Sequence, residues 1–412
     1  MMFRRLWHDL WVTLFVLLIL VGLFSSKGFI IGMGAMGLLV AALSWVWNRL
    51  SLEDLEYLRK LDRTRVFAGE KVNLEVEISN NKPIPVPRLE IEDEIPDSIG
   101  IKGGNITYSP NPNSTRIKQA TSVGWYETTR WDYELIASRR GYFRLGPATI
   151  KGGDLFGLFS NYKKDNSREH ILVYPEVFDL PNLGLPQANP FGDTTKGSKI
   201  VHDFYMPSGI RDYQSGDPMK IVDWNATAKN NSIKVKTYDP TSSHTFIIAV
   251  AVESADPVWS GYSPIYLERT ISTAASIASY CADKGLKYGL FSNGTPVASD
   301  RPMTISPSNN PDQLKIVLEI LATIAPIPSK PIPVLLNEAL RNFPVNSTLV
   351  VATSTMSEEF IEVIRRAKSF GHNVVVVNVS DTKCPELPAT VITYNIGEYL
   401  KKMEISGDID SR

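Results

Sequence analysis

A chain of 412 residues is long enough for two or three domains with separate cores, and 43% apolar with 21% charged residues is the balance of a folded protein. The formal net charge of −1 gives no global attraction to nucleic acid, so no nucleic-acid partner is expected. Cys281 and Cys384 are too few for a disulfide framework and lack the spacing of a zinc site or a Cys-x-x-Cys pair, so they read as free thiols in a reducing compartment.

Two apolar stretches come first. "LWVTLFVLLILVGLF", Leu10 to Phe24, and "GFIIGMGAMGLLVAALSWVW", Gly28 to Trp47, are uncharged and are separated by Ser25, Ser26 and Lys27. The second has about the ~20 residues needed to cross the hydrocarbon core. Arg4 and Arg5 ahead of the first allow a cleaved signal peptide, but there is no small-x-small cleavage site and a second apolar segment follows at once. The pattern predicts a transmembrane helical hairpin within residues 1–50, with spans at about 8–26 and 28–47. Arg4, Arg5, Arg49, Arg59 and Lys60 flank the pair against Lys27 in the turn, which places both ends, and the soluble domains, in the cytoplasm of a two-span protein of the cell membrane. Trp7, Trp11, Trp45 and Trp47 fall near the span ends, where amphipathic rings favour the interface.

A charged connector, Ser51 to Thr64, leads to period-two alternation. Val72, Leu74, Val76 and Ile78 alternate with Asn73, Glu75 and Glu77, and Leu89 and Ile91 restart the pattern after an Asn-Asn-Lys-Pro turn. Further strands at "TRWDYELIAS" and "RGYFRLGPATIKGGDLFGLF" predict an all-β, immunoglobulin-like sandwich over 62–160. "EDE", Glu92 to Glu94, reads as a solvated strand end rather than a metal site, because no other oxygen ligands are grouped with it.

Residues 161–242 read as a connecting region. Within it, "GIRDYQSGDPMKIVDWNATAKNNSIKVKTYD", Gly209 to Asp239, has Asp217 as N-cap and Pro218 at the first helical position, predicting a helix from Pro218 to about Asn230. Its buried face would carry Ile221, Trp224 and Ala228, with Lys220 and Asp223 pointing away. "SIKVKTY" then predicts an edge-like strand with Lys234 and Lys236 on one face. Arg211 is placed to bridge Asp217 or Asp223. A fold joint locked by Trp224 and a docking surface on the basic face both fit; catalysis does not, because no base and nucleophile stand together.

From Ser243 to about residue 405, strands and helices alternate. "TFIIAVAVES" suits a strand buried on both faces, and the following helix has Ser263 as N-cap, Pro264 at its first position and Gly285 at its end. "KYGLFSNG", "STLVVATS" and "NVVVVNVS" are further strands, with helices at "PDQLKIVLEILATI", "IPVLLNEALRNF" and "SEEFIEVIRRAKSFG". This predicts an α/β doubly wound sheet with a crevice at its carboxyl edge. No Gly-x-Gly-x-x-Gly or Gly-Lys-Ser/Thr loop follows a strand, so no cofactor and no small-molecule substrate is expected.

Arg211, Tyr213, Gly216 and Asp217, followed by Ile221, Trp224, Ala228 and Lys229, form a pattern that resembles the signature of the bacterial family catalogued as domain of unknown function 58. Two N-terminal spans, a β domain ending in "GGDLFGLF" and "VYPEV", and a C-terminal von Willebrand factor A-like domain agree with that family over nearly the whole chain. The resemblance implies a membrane-tethered adaptor working with a MoxR-type AAA+ ATPase. An intact A domain of that type holds a divalent cation with Asp-x-Ser-x-Ser, a Thr and an Asp from later loops. Here the first motif is replaced by Ala251, Val252, Glu253, Ser254, Ala255 and Asp256, and the later loop reads Thr353, Ser354, Thr355, so the A domain is degenerate. Glu253, Ser254, Asp256 and Thr353 remain as an atypical oxygen set, with backbone capping as their alternative role. The preferred reading is therefore a non-enzymatic interaction protein; the competing one is a hydrolase using the crevice, where Glu253, Asp256 and Thr353 would cluster. His8, His170, His202, His244 and His372 are each isolated from any nucleophile motif.

Overall fold

The two apolar runs at the N-terminus form helices α1, Met2–Phe24, and α2, Gly28–Ser51, in a computed structural model that describes residues 2–186, 189–192, 207–215, 217, 219–230, 232–238, 245–255, 261–296 and 303–410. The helices turn back on each other through Ser25–Lys27, where the Lys27 amide donates to the Gly22 carbonyl (3.1 Å). Their backbones approach closely because α2 offers small residues: Gly34, Ala41, Ser44 and Ser51 are its buried positions. A Cβ at Gly34 would sit 2.5 Å from Ile19 Cγ1, and one at Gly37 would collide with the Phe15 ring. Among the described residues, α2 is long and apolar enough to cross a membrane, while α1 contributes the shorter apolar run Val12–Phe24.

The helices belong to the first of two units, Met1–Tyr174 and Pro175–Arg412. The rest of that unit is β-rich and immunoglobulin-like. Its strands are β1 (Leu55–Leu61), β2 (Arg65–Phe67), β3 (Lys71–Asn80), β4 (Val86–Pro96), β5 (Ile99–Lys102), β6 (Asn105–Tyr108), β7 (Ser114–Val123), β8 (Thr128–Ala137), β9 (Gly141–Leu145), β10 (Ala148–Gly153), β11 (Ser160–Asp165) and β12 (Glu169–Tyr174). They form sheets ordered β1-β3-β8-β5, β11-β10-β4-β7-β6 and β2-β12-β9. Inward residues of all three share one core, including Leu74, Ile78, Leu89, Ile95, Leu135, Ile150 and Ile171.

Three expectations are corrected here. The charged connector is largely strand β1, paired antiparallel with β3 from Leu55↔Asn80 to Leu61↔Leu74. Its inward slots are Leu55, Tyr57 and Arg59, and a charge in the third slot hid the alternation. "EDE" lies within β4, not at a solvated end: Asp93 is buried and bound by Arg59, while Glu92 and Glu94 meet Arg116 and Lys151. The sandwich continues through β11 and β12, so residues 161–174 are not connecting chain.

The second unit is α/β. β15 (Thr245–Val250), β16 (Lys287–Ser292), β18 (Met303–Ser308), β20 (Thr348–Thr353), β21 (Asn373–Asn378) and β22 (Ile392–Asn395) form a six-stranded sheet ordered β18-β16-β15-β20-β21-β22. All its pairings are parallel except the antiparallel edge β18–β16. Phe246 to Val250 are all buried, as a central strand covered on both faces requires. Helix α4 (Pro264–Asp283) packs on β15, β16 and β20, with α5 (Gln313–Thr323) beside it. Leu335 and Leu336 of α6 (Ile332–Ala339) and Phe360 and Ile364 of α7 (Glu358–Ser369) share a core with Ile247, Leu349 and Val376. A small ladder of β17 (Gly294–Pro296) with β19 (Ile324–Pro328) and the helix α8 (Gly397–Asp410) complete the unit; neither was evident from periodicity.

Candidate functional site

The signature stretch forms a compact β-turn-helix element whose geometry differs from the sequence expectation. β13 (Pro207–Asp212) pairs antiparallel with β14 (Lys234–Tyr238), placing Ile210 opposite Lys236, Arg211 opposite Val235 and Asp212 opposite Lys234. On its other side β14 meets Val222 in a bridge to Val235, and the Asp223 amide donates to the Lys234 carbonyl (2.9 Å). The predicted edge strand is thus flanked on both sides. Gly216, Pro218, Asn231 and Asp239 lie outside the described residues.

The helix starts later than predicted. A 3-10 turn, Met219–Ile221, precedes α3 (Trp224–Asn230), and the N-cap is Asp223, whose Oδ1 accepts from the amides of Asn225 and Ala226 (both 3.0 Å). Asp217 is committed elsewhere: Arg211 Nη1 and Nη2 donate to its Oδ2 and Oδ1 (2.7 and 2.8 Å), and the Gln214 amide donates to Oδ2 (2.9 Å). These bonds, the guanidinium's first and the amide's second, hold the Asp217 carboxyl below its ordinary range. The later start leaves Ile221 outside the helix, and the expected buried face is wrong. Trp224 is 65% exposed, Ala228 is exposed and Ile221 half-buried, while Val222 and Val235 fill the interior. Ile210, Tyr213, Met219 and Ile233 are further exposed apolar side chains of this stretch. Lys234 and Lys236 share a strand face, but Lys234 Nζ donates to Asp212 Oδ1 (2.7 Å), which holds that carboxyl low; Lys236 is half-buried, and Lys229 is exposed in the last turn of α3.

The carboxyl edge of the six-stranded sheet gathers part of the candidate oxygen set and assigns it to backbone. Glu253, 8% exposed, accepts at Oε1 from Asn293 Nδ2 and from the Ile332 amide that opens α6 (both 2.7 Å). Asn293 also accepts from the Val252 amide (3.0 Å) and donates to the Lys330 carbonyl (3.1 Å). Ser354 Oγ donates to the Glu253 carbonyl (3.0 Å), Ser254 Oγ accepts from the Ser263 amide (2.6 Å), and Thr353 Oγ1 donates to the Thr355 carbonyl (2.7 Å). Asp256 lies outside the described residues, among which no group of three or more His, Cys, Asp or Glu is arranged to hold a metal. Asn293 was missed from sequence; its signal was a lone amide directly after a buried strand. This arrangement ties four loops to the sheet edge.

His372, His170 and the two cysteines are accounted for by local packing. His372 Nδ1 pairs with Ser347 Oγ (3.0 Å), and burial holds its pKa low. His170 stacks on Tyr142. Burial raises Cys281 to about 12 and Cys384 to about 11, which favours the protonated thiol of both at neutral pH.

Residues 209–395 match the family model described as "Protein of unknown function DUF58", a span that starts at the first residue of the signature stretch; residues 59–170 match "BatD DUF11 like domain". The uncharacterized protein YeaD of Bacillus subtilis (strain 168) is 23% identical over 245 residues, covering 59% of this chain and 57% of that protein, so the chain spans little more than half of its relative's length. Among solved structures, a cohesin module from a Clostridium perfringens ATCC13124 family 33 glycoside hydrolase aligns with a TM-score of 0.22 at 16% identity, over 29% of this chain and 96% of that one. The CARDB domain of the PF1109 protein from Pyrococcus furiosus aligns with a TM-score of 0.21 at 15% identity, over 29% of this chain and 92% of that one.

Proposed function

We propose that this chain is a non-enzymatic adaptor, anchored in the cell membrane by two N-terminal spans, whose cytoplasmic sandwich and von Willebrand factor A-like domain serve a MoxR-type AAA+ ATPase in the assembly or maturation of a partner complex. The observation that carries the reading is the outward Trp224 on an element that is otherwise locked. Arg211 clamps Asp217, Asp223 caps the helix and Val222 bridges Val235, so Trp224, Met219 and Ile210 are presented on a framework that loses little freedom on binding. Exposed tryptophan is a common anchor of protein interfaces. A central β15 with β16 on one side and β20 on the other, and an antiparallel edge strand β18, supports the A-like reading of the second unit. Glu253, Ser254 and Thr353 hold loops rather than a substrate, which weighs against the hydrolase alternative. The AAA+ partner rests on the family resemblance, and the orientation rests on the arginines that flank the apolar helices.

Affinity capture of the full chain from solubilised membranes, parent beside Trp224→Ala, tests the reading. The parent should recover an AAA+ ATPase and the variant at least tenfold less of it. Recovery of no ATPase by the parent, or equal recovery by both, would overturn the proposal. A reporter fused after Arg412 should behave as cytoplasmic; external labelling would overturn the orientation.

A further inference from the structure

We infer that the first unit holds one membrane glycerophospholipid, with an acyl chain along the groove between α1 and α2 and the phosphate on Arg88 and Lys151. The inference rests on the anchoring proposed above. Val12, Leu38, Ala41, Ala42 and Trp45 line an apolar groove of about 710 Å³ that ends at Asn48 and Phe159. That volume lies within the roughly 300–1,000 Å³ usual for sites that take a small organic ligand. Phe159 is also a wall of a second, polar pocket, lined by Arg88, Glu90, Lys151, Ser160 and Asn161. The two cavities therefore share one side chain as a wall, with an apolar lining on the helix side and a polar one on the sandwich side.

Several independent features place a bilayer surface at that junction. α2 packs against β10 and β11, close enough that a Cβ on Gly152 would lie 2.7 Å from Leu52 Cδ2. The β10–β11 turn holds Leu155 and Phe156 bare to solvent, and it is rigid: buried Asp154 accepts from the amides of Phe156 (3.1 Å) and Phe159 (2.7 Å). Two exposed apolar side chains on a turn held by these bonds suit insertion among lipid headgroups. Arg49 lies 5.9 Å from the Trp45 ring centroid and adds a cation at the same end of α2.

The charges fit a phosphate ester. Arg88 is largely exposed, and its one carboxylate contact among the described residues, to Glu90 Oε1, is long at 3.4 Å; Lys151 pairs with Glu92 on the outer face of β4. A lipid phosphate between Arg88 and Lys151 gains a charge-assisted contact from each. Glu90 is already paired with Lys118 (3.3 Å), but the buried Asn48 Oδ1, which has no hydrogen-bond partner among the described residues, is an acceptor that a hydroxyl- or ammonium-bearing headgroup supplies with a donor. A free phosphate would leave the groove unfilled, and a fatty acid carboxylate would leave the Asn48 acceptor unmet.

Native mass spectrometry of the full chain in mild detergent tests this, with dioctanoyl phosphatidylglycerol added as the probe after delipidation. The parent should carry one phospholipid per chain, Arg88→Gln with Lys151→Gln should reduce occupancy at least fivefold, and Ala42→Trp, which fills the groove while leaving the headgroup pocket intact, should do the same. A parent that carries and takes up no phospholipid, or variants that bind like the parent, would overturn the site. Alkaline carbonate extraction separates this from the reading beneath it. Release of the parent into the soluble fraction would bring down the anchoring and the lipid site together, whereas retention without bound phospholipid would bring down the lipid site alone.

Discussion

Arg59–Asp93 in the sandwich and Arg211–Asp217 in the signature element are the same chemical object in two settings. Each is a two-pronged guanidinium–carboxylate fork, with contacts of 2.7 Å and 2.7 Å in the first and 2.7 Å and 2.8 Å in the second. The first joins β1 to β4 across the sandwich interior, with side chains 1% and 4% exposed; Tyr57 Oη donates to the same Asp93 Oδ2 (2.8 Å), and Arg59 Nη1 donates to the Ser167 carbonyl (2.9 Å). The second joins residues six apart in sequence at the surface. Geometry alone does not set the energetic weight of an ion pair; desolvation and the sequence distance it spans do. The buried fork specifies which strands of the sandwich come together, whereas the exposed one shapes a local surface.

The largest effect expected is therefore at the buried fork. Asp93→Ala strands a buried guanidinium and should cost about 3–5 kcal/mol, read from urea unfolding of the detergent-solubilised chain. Replacing the whole cluster, with Arg59→Met, Asp93→Leu and Tyr57→Phe together, should recover most of that loss, because apolar packing can replace a satisfied buried pair. A triple variant as unstable as Asp93→Ala would show that shape, and not stranded charge, is the issue.

Titration separates the two forks in opposite directions. Burial, then the Asp93 carboxylate, pushes the Tyr57 phenol well above its ordinary value of about 10. A group whose folded pKa is raised contributes fully below its unfolded value, and that contribution is lost as pH rises through the folded one. The parent sandwich should thus lose stability in strong alkali more steeply than Tyr57→Phe. Asp217, held low, behaves the other way: its contribution is present above the ordinary carboxyl value of about 3.9 and is lost as pH falls through the folded one. The protection of the Gln214 amide, which Asp217 accepts, measured relative to its intrinsic exchange rate at each pH, should fall in acid while the sandwich amides stay protected. Acid loss of both together would mean the loop is not independent of the core.

Much of the fold was legible where one local rule decided the outcome. β3 announced itself through Val72, Leu74, Val76 and Ile78, and α4 through Ser263, Pro264 and Gly285, the last with φ at +65° past the helix end. β1 was not legible, because Arg59 occupies an inward slot that only Asp93, distant in sequence, makes tolerable. The helix start failed for a related reason. Asp217 and Asp223 are equally good caps by residue type, and the choice was made by Arg211, which occupies both oxygens of the first. Of the candidate oxygen set, Glu253 was found but its partners Asn293 and Ile332 were not, since they come from other loops of the sheet edge.

The smallest effect on stability is expected at Trp224, and it is the sharpest test of what the exposed fork is for. A buried tryptophan cut to alanine leaves a cavity costing about 3–5 kcal/mol, but an exposed one should stay within about 0.5 kcal/mol. Trp224→Ala should therefore melt like the parent, and a buried-type loss would mean that the side chain is covered in solution. If the framework beneath it matters, Arg211→Ala should also melt like the parent yet lose capture of the partner, because Trp224 remains while the loop ahead of its helix is released. Lys229→Glu, at the exposed end of α3, then sorts the contribution of charge: rim charges act through screened attraction, so its effect on capture should shrink as salt is raised, while that of Trp224→Ala should not. Loss of capture that follows salt for both would make the surface an electrostatic one, and the outward tryptophan incidental to it.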